Sequence, residues 1–285
     1  MLHELRTPRI ERHEDVTRLA FASPAGRLVG YSASAYLVAR GTGAQTRSVL
    51  VDTGFARAGD ALLRAVEAAH GGRAPREALV GAILTHAHED HAGNVARLAR
   101  LGVPLAMGAA TRAAVADVAP IALYRRVTWG AMEPLRGDVA PFDPAPLVLL
   151  ATPGHSADHH VVWDAERETL FGGDLFLGVK VRIAHRYEDP HALARSLRMA
   201  AALRPRRLFD AHRGLVADPV PALEAKAGWI EDTIAAVERL LDAGWPARRI
   251  RDHVLGREEL TGIVSCGEYS RTNLVRAVRR ARLAG

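Results

Sequence analysis

The apolar positions of this chain change period along its length, and the change gives the first outline of its fold. Near the start the pattern alternates at Thr17, Leu19 and Phe21, and then gives way to solid apolar runs at Ala35 to Val38 and Ser48 to Val51. Alternation marks a strand with one covered face and a short solid run marks a strand covered on both, so this region predicts an opening meander. After the turn Asp52-Thr53-Gly54, helical and extended signals take turns. A helix is expected over 61–69, a buried strand over 79–84, a short helix over 94–101 stopped by Gly102 and Pro104, a strand over 104–107 and a helix over 109–118. The proline-rich stretch 120–146 reads as an irregular excursion near the site, with a short helix inside it. Strands follow over 147–151, 160–163 and 169–172, then a helix over 190–203 and a last strand over 207–211.

From Pro219 the period becomes helical. Ile230, Ile234, Val237 and Leu241 step by three and four and end at Gly244, which predicts one buried face. A second helix over 247–255 should bury Ile250 and Val254. A third, from Arg271, carries Leu274, Val278 and Ala281 on one face and Arg276, Arg279 and Arg280 on the other. The division expected is a catalytic α/β domain over 1–216 and a helical region over 217–285 packed on it.

Composition narrows the chemistry. The 285 residues, 48% hydrophobic and 25% charged, have the balance of an ordinary chain that buries a core, which excludes disorder. Cys266 is the only cysteine, so neither an internal disulfide nor a cysteine-ligated zinc module is available, and the thiol itself reads as a small buried residue. Any metal must be held by His, Asp or Glu. No apolar run nears the ~20 residues of a membrane span and the opening MLHELRTPRIERHEDV is too charged for a signal peptide, so the expected address is the cytoplasm, with no membrane partner. Net charge is +6, and nine arginines against four acids between Ala243 and Gly285 supply +5 of it. A basic tail suits nucleic acid. This one has Tyr269 as its only aromatic after Trp245, too few to stack on bases, so a solvated helix face is the favoured reading.

The chemistry concentrates at Thr85-His86-Ala87-His88-Glu89-Asp90-His91, directly after the strand expected to end at Leu84. A loop leaving a buried strand is held rigidly by the sheet. Alternate residues His86 and His88 can face one centre while Asp90 and His91 turn toward another, and imidazole with carboxylate suits zinc, iron or manganese. His159 and His160 are assigned no role, because neighbours on an extended segment point opposite ways.

The H-x-H-x-D-H pattern resembles the signature of the metallo-β-lactamase superfamily. The resemblance extends through Val51-Asp52-Thr53-Gly54, Thr152-Pro153-Gly154-His155, Gly173-Asp174 and His212 in Phe209-Asp210-Ala211-His212, in the family's order, over about 160 residues. It implies a four-layer αββα sandwich with two divalent ions at one edge, zinc first and iron or manganese as alternatives. His86, His88 and His155 would hold one ion, Asp90, His91 and His212 the other, and Asp174 would bridge them. It also implies a metal-bridging hydroxide as nucleophile, Asp90 as the catalytic proton carrier and Asp52 as an orienting residue behind the ligands. His185 and Tyr187, in a loop expected to overhang the site, are candidate substrate contacts.

Departures from the pattern select among branches. Asp174 stands where the β-lactamases proper lack the bridging carboxylate, His88 stands where the flavodiiron branch carries Glu, and 38 positions between Asp174 and His212 leave no room for the insert of mRNA-processing nucleases. Leu175-Phe176-Leu177-Gly178 replaces the Cys-Gly-rich loop of the glutathione thioester branches. The expected partner is therefore a small carboxylic ester, thioester or lactone, with an endoribonuclease-like phosphodiesterase second and a regulatory protein with a vestigial site third. Native metal, substrate and oligomeric state stay open.

Overall fold

Solid apolar runs must be covered on both faces, and two stacked sheets with helices outside them are what cover them here. The computed structural model describes residues 7–28 and 30–284. The first sheet runs in chain order: β1 (Arg9–His13), β2 (Val16–Phe21), β3 (Ala33–Arg40), β4 (Arg47–Val51), β5 (Leu79–Ile83) and β6 (Leu105–Ala106). The first four are antiparallel, and β4, β5 and β6 are parallel. Between and after them lie α1 (Pro24–Leu28), α2 (Gly59–Ala69), α3 (Pro75–Ala78), α4 (Val95–Arg100), α5 (Ala109–Ala116) and α6 (Leu123–Trp129). The second sheet is built from β7 (Leu147–Ala151), β8 (His160–Asp164), β9 (Thr169–Phe171), β11 (Arg207–Asp210) and β12 (Gly214–Val216), in the order β12-β11-β9-β8-β7.

Period two then sorts each strand. Tyr36 and Val38, Val49 and Val51, and Ile83 point from the first sheet into a layer shared with Leu147, Val162, Phe171 and Phe209 of the second. Their neighbours Leu37, Leu50 and Ala82 point the other way, into a core with Leu62 and Val66 of α2 and Leu98 of α4. On the far side, Val161, Leu170 and Leu208 pack against α7 (Pro190–Ala202), α8 (Pro219–Asp242), α9 (Ala247–Val254) and α11 (Arg271–Ala284). Helix, sheet, sheet and helix make the four-layer αββα arrangement. Leu193 and Leu197 of α7 share one apolar core with Leu223, Ile230, Val237, Ile250 and Val278 of the C-terminal helices.

Most expected elements are present within a residue or two. The charged strand β1, with alternate exposed residues, has no apolar pattern to reveal it. A two-stranded ribbon of β10 (Ala184–His185) and β13 (Tyr269–Ser270) likewise has no local signal, since it joins residues far apart in sequence. The short α10 (Leu260–Val264) precedes it. Two expectations are corrected. Ala281 is exposed, because α11 runs past the body of the protein in its last turn, and Val275 and Ala277 are buried instead. Cys266 is exposed on a turn with φ of 51° rather than buried. Among the described residues no helix is long and apolar enough to cross a membrane.

One buried charge ties α8 to the second sheet. Lys226 is 2% exposed, and its Nζ donates to the carbonyls of Leu175, at 3.0 Å, and Phe176. No carboxylate among the described residues lies within ion-pair distance of it. Burial pushes the ammonium down from 10.5 to about 8, with Asp210, Glu188 and Asp174 pulling weakly the other way. Between those two values the unfolded chain holds a proton that the folded chain has released, so this group makes stability rise with pH across that window. Lys226→Met removes the titration. The urea midpoint of the native protein is expected to gain on that of the variant between pH 7 and about pH 10; a gap that does not move with pH would contradict the assignment.

Candidate metal centre

Every loop that carries a candidate ligand leaves the carboxyl end of a strand. Asp52 follows β4 and His86 to His91 follow β5, His155 follows β7, Asp174 follows β9 and His212 follows β11. Because β4 and β5 are parallel neighbours, as are β9 and β11, these ends lie side by side. The two sheets meet there: His160 N donates to Thr85 O at 2.8 Å, joining the start of β8 to the ligand loop. Gly173 must precede Asp174. Its φ is 49°, and a Cβ would stand 2.8 Å from His159 Nε2 and 2.9 Å from Thr85 Oγ1.

Asp52 organises the ligand loop. Its Oδ1 accepts from Thr85 N at 2.8 Å, both of its oxygens accept from Thr85 Oγ1, and Oδ2 accepts from His91 Nδ1 at 2.8 Å. The Thr53 hydroxyl donates to His91 O, and Asn94 Nδ2 donates to the carbonyls of Thr53 and Phe55. These bonds sew the turn after β4 to the loop after β5.

The structure brings seven predicted residues into two adjoining groups, His86, His88, His155 and Asp174 in one and Asp90, His91 and His212 in the other. Within each group the ligand atoms lie inside 4.8 Å of one another. Asp174 stands between them: Oδ2 is 3.2 Å from His155 Nε2, and Oδ1 is 3.2 Å from His91 Nε2 and 2.9 Å from His212 Nε2. His155 Nε2 and His88 Nδ1 approach to 3.0 Å.

The far nitrogen of each ring decides which atom faces inward with a lone pair. Thr85 gives its hydroxyl proton to Asp52, so His86 Nδ1 donates to Thr85 Oγ1 and Nε2 is left as an acceptor. His91 Nδ1 donates to Asp52, His212 Nδ1 donates to Ser32 O at 2.7 Å, and His155 Nδ1 faces Glu188 Oε1 at 3.5 Å. His88 is reversed, with Nε2 at the Tyr187 hydroxyl and Nδ1 turned inward. Five rings thus present a lone pair to the same small volume, the arrangement that metal-binding histidines require of their outer partners. His86 Nε2, His91 Nε2 and Asp174 Oδ1 are buried without a hydrogen-bond partner. A buried polar atom left unpaired is costly, and a divalent cation resolves that cost for all three.

Electrostatics favour the same occupant. Burial and neighbouring imidazoles hold His86 and His88 well below the usual histidine range. Burial acts likewise on His91, His155 and His212, but Asp174 and nearby carboxylates outweigh it, and His212 is raised to about 9. A carboxylate field that favours imidazolium also favours a dication in its place.

Several surrounding residues had no sequence signal. Tyr31 donates its hydroxyl to Asp90 Oδ2 at 2.5 Å, and burial with that carboxylate keeps it a neutral phenol. His159, left without a role above, lies under the site: it is 1% exposed, and its Nε2 accepts from Asp174 N at 3.1 Å. Asp158 Oδ2 accepts from Ala87 N at 2.9 Å. Arg125 of α6 pairs with Glu89 in the ligand loop, at 2.7 Å through Nη2, and with Glu268 beside β13, so the buried pair clamps three distant segments. The overhanging-loop expectation divides. Tyr187 is 49% exposed and touches His88, whereas His185 is buried at 1%, its ring against Tyr187 and Tyr269 and its Nε2 3.4 Å from Glu268. Strand pairing with β13 turns His185 inward, away from solvent.

His88, Asp90, His155, Asp174 and His212 line a cavity of about 810 Å³. The match to the metallo-beta-lactamase superfamily spans residues 28–212. The Beta-lactamase-like protein 2 homolog of Drosophila melanogaster is 29% identical over 227 residues, covering 73% of this chain and 70% of that protein. The protein of the same name in Caenorhabditis elegans is 41% identical over 78 residues, 27% of this chain but only 25% of its own length. A metallo-beta-lactamase family protein of Thermus thermophilus superposes with a TM-score of 0.66 at 20% identity, covering 93% of this chain and 92% of that one. A protein solved in a di-iron-bound form superposes with a TM-score of 0.51 at 28% identity, covering 69% of this chain and 92% of that one. With the sandwich, the ligand order and the family match in agreement, the chain belongs to the metallo-β-lactamase superfamily.

Proposed function

We propose that the protein is a dinuclear metal-dependent hydrolase of carboxylic esters, thioesters or lactones. The observation that carries this reading is the convergence of five imidazoles and the Asp174 carboxylate on a mostly apolar cavity, with His86 Nε2, His91 Nε2 and Asp174 Oδ1 left without a hydrogen-bond partner. His86 Nε2, His88 Nδ1 and His155 Nε2 would hold one ion, Asp90, His91 and His212 the second, and Asp174 would touch both. Zinc fits these N and O donors, as do iron and manganese, and the di-iron-bound relative favours iron among the alternatives. Bound divalent ions supply Lewis acidity and a nucleophile at neutral pH.

The chain's own groups do the rest. Asp90 Oδ2 is held by Tyr31, which aims the carboxylate into the cavity to take a proton there and deliver it to the leaving group. Asp52 keeps His91 in the tautomer that leaves Nε2 free, and Glu188 does the same for His155. The apolar walls exclude water from the acyl group. An RNA phosphodiesterase is the second reading, favoured by Tyr31, Tyr124 and Trp129 on the cavity wall, since aromatic rings stack on bases. Phosphates need cations, however, and Arg276, Arg279 and Arg280 lie on the exposed face of α11 and contribute nothing to that wall.

Elemental analysis of protein purified without chelator is expected to give about two transition-metal ions per chain. Asp174→Ala should empty both positions, whereas Asp52→Ala should weaken affinity roughly 10- to 100-fold; equal losses would remove the distinction between the two roles. Asp90→Asn is expected to lower kcat at similar KM on a hydrolysed ester, because an amide cannot accept the proton. A change confined to KM would make Asp90 a binding residue. Metal-dependent RNA cleavage that is lost in Asp90→Asn and weakens steeply with salt would replace the favoured reading with the second.

A further inference from the structure

The cavity's lining has two chemically distinct parts. One is the ligand residues with Asp90; the other is apolar and comes from Val181 and Ile183 of the segment before β10, Ile230 of α8 and Leu274 of α11. Its volume, about 810 Å³, lies in the range of enclosed small-molecule sites and far exceeds what a scissile carbonyl and its immediate substituents need. The rim is apolar too: Leu260 and Val264 of α10 line it while remaining 73% and 60% exposed, an unfavourable display unless apolar material passes them.

Resting on the hydrolase reading above, we infer that the substrate carries an apolar acyl chain that lies against these apolar walls while its carbonyl sits at the ligand cluster. The acyl arm is the part that fits, because the leaving group of an ester or thioester departs as a hydroxyl or thiol and suits water better than aliphatic walls. The balance is that of hydrolysis: water adds to the carbonyl carbon, the carbon–oxygen or carbon–sulfur bond breaks, and the proton passes to the leaving atom. Among the described residues Lys226 is the one cation buried in this wall, and it is already engaged by the carbonyls of Leu175 and Phe176, which leaves it poorly placed to demand an anion. The C-terminal helices acquire a role on this account, since α8, α10 and α11 furnish the chain-binding walls.

The test uses the metal-loaded full chain and two probe sets. Straight-chain methyl ketones from butanone to nonanone cannot be hydrolysed, and calorimetric affinity is expected to rise about threefold to fourfold per methylene until the cavity is full. N-acetylcysteamine thioesters from acetyl to decanoyl should show the same climb in kcat/KM, and ω-carboxylated acyl analogues of equal length should be poorer. Ile183→Trp, or Val181→Trp if the first does not fold, should abolish the climb in both sets, read as the decanoyl-to-acetyl ratio. Ketone binding that climbs while no thioester turns over would overturn the hydrolase reading and leave the chain pocket standing. Turnover and ketone affinity both indifferent to length, or a preference for ω-carboxylated chains, would overturn the chain pocket and leave the hydrolase.

Discussion

The Asp52 carboxylate is the link on which the centre depends. It sits at the end of β4 with φ of 58°, a left-handed conformation that aspartate tolerates better than most residues, and that bend is what turns its side chain toward β5. There it satisfies the first backbone NH of the ligand loop, the Thr85 hydroxyl and the Nδ1 proton of His91 together. Each of those bonds has a second consequence. The Thr85 hydroxyl, having spent its proton on Asp52, can only accept from His86, and His91, having given Nδ1 to Asp52, can only offer Nε2 inward. One buried carboxylate therefore sets the tautomers of two rings on different sides of the centre, although it stands in neither ligand group.

That logic also explains what the sequence revealed and what it hid. Solid runs such as Ser48 to Val51 had to become strands covered on both faces, and the four-layer stack follows once two such sheets exist. His86, His88, His91, His155, Asp174 and His212 were legible because each stands in a short motif after a strand end. Tyr31, Asp158 and Arg125 were not, because their partners Asp90, Ala87 and Glu89 lie 59, 71 and 36 positions away and no local pattern encodes such a pairing. His159 was set aside by strand alternation, yet residues 152 and 159 bracket a turn, and Thr152 Oγ1 meets His159 Nδ1 at 2.8 Å to aim Nε2 at Asp174 N. His185 failed in the opposite way: its place after Asp174 suggested a loop overhanging the site, but a two-residue strand pairing buries it.

The density of imidazoles carries its own constraint. Rings of His86, His88, His91 and His155 crowd within centroid distances of 4.1 to 5.2 Å, so protonating all of them would place several positive charges in a volume with almost no water. Asp174 and Asp90 offset only part of that. The fold avoids the conflict by holding His86 and His88 neutral through burial and neighbouring imidazoles and placing His91 and His212 against carboxylates. The first two rings offer their nitrogens to a dication directly, whereas His91 and His212 would release protons as it binds.

The candidate ligands and the apolar cavity walls are built from different parts of the chain. The ligands stand on strand ends, whose positions are set by two sheets packed through Tyr36, Phe171 and Phe209, and small changes there would move every donor at once. The apolar part of the cavity lining comes from α7, α8, α10, α11 and the segment before β10, and α7, α8 and α11 meet the second sheet through a separate apolar cluster. The Arg125–Glu89 and Arg125–Glu268 pairs are one place where the two parts touch, since a single guanidinium holds the ligand loop and the β13 turn at once. Breaking a buried pair of this kind exposes an uncompensated charge and is strongly destabilising, so the helices can vary their apolar walls freely only while that clamp is kept. On the proposed acyl-chain reading, substrate range would be set in the helical layer and the chemistry by the strands.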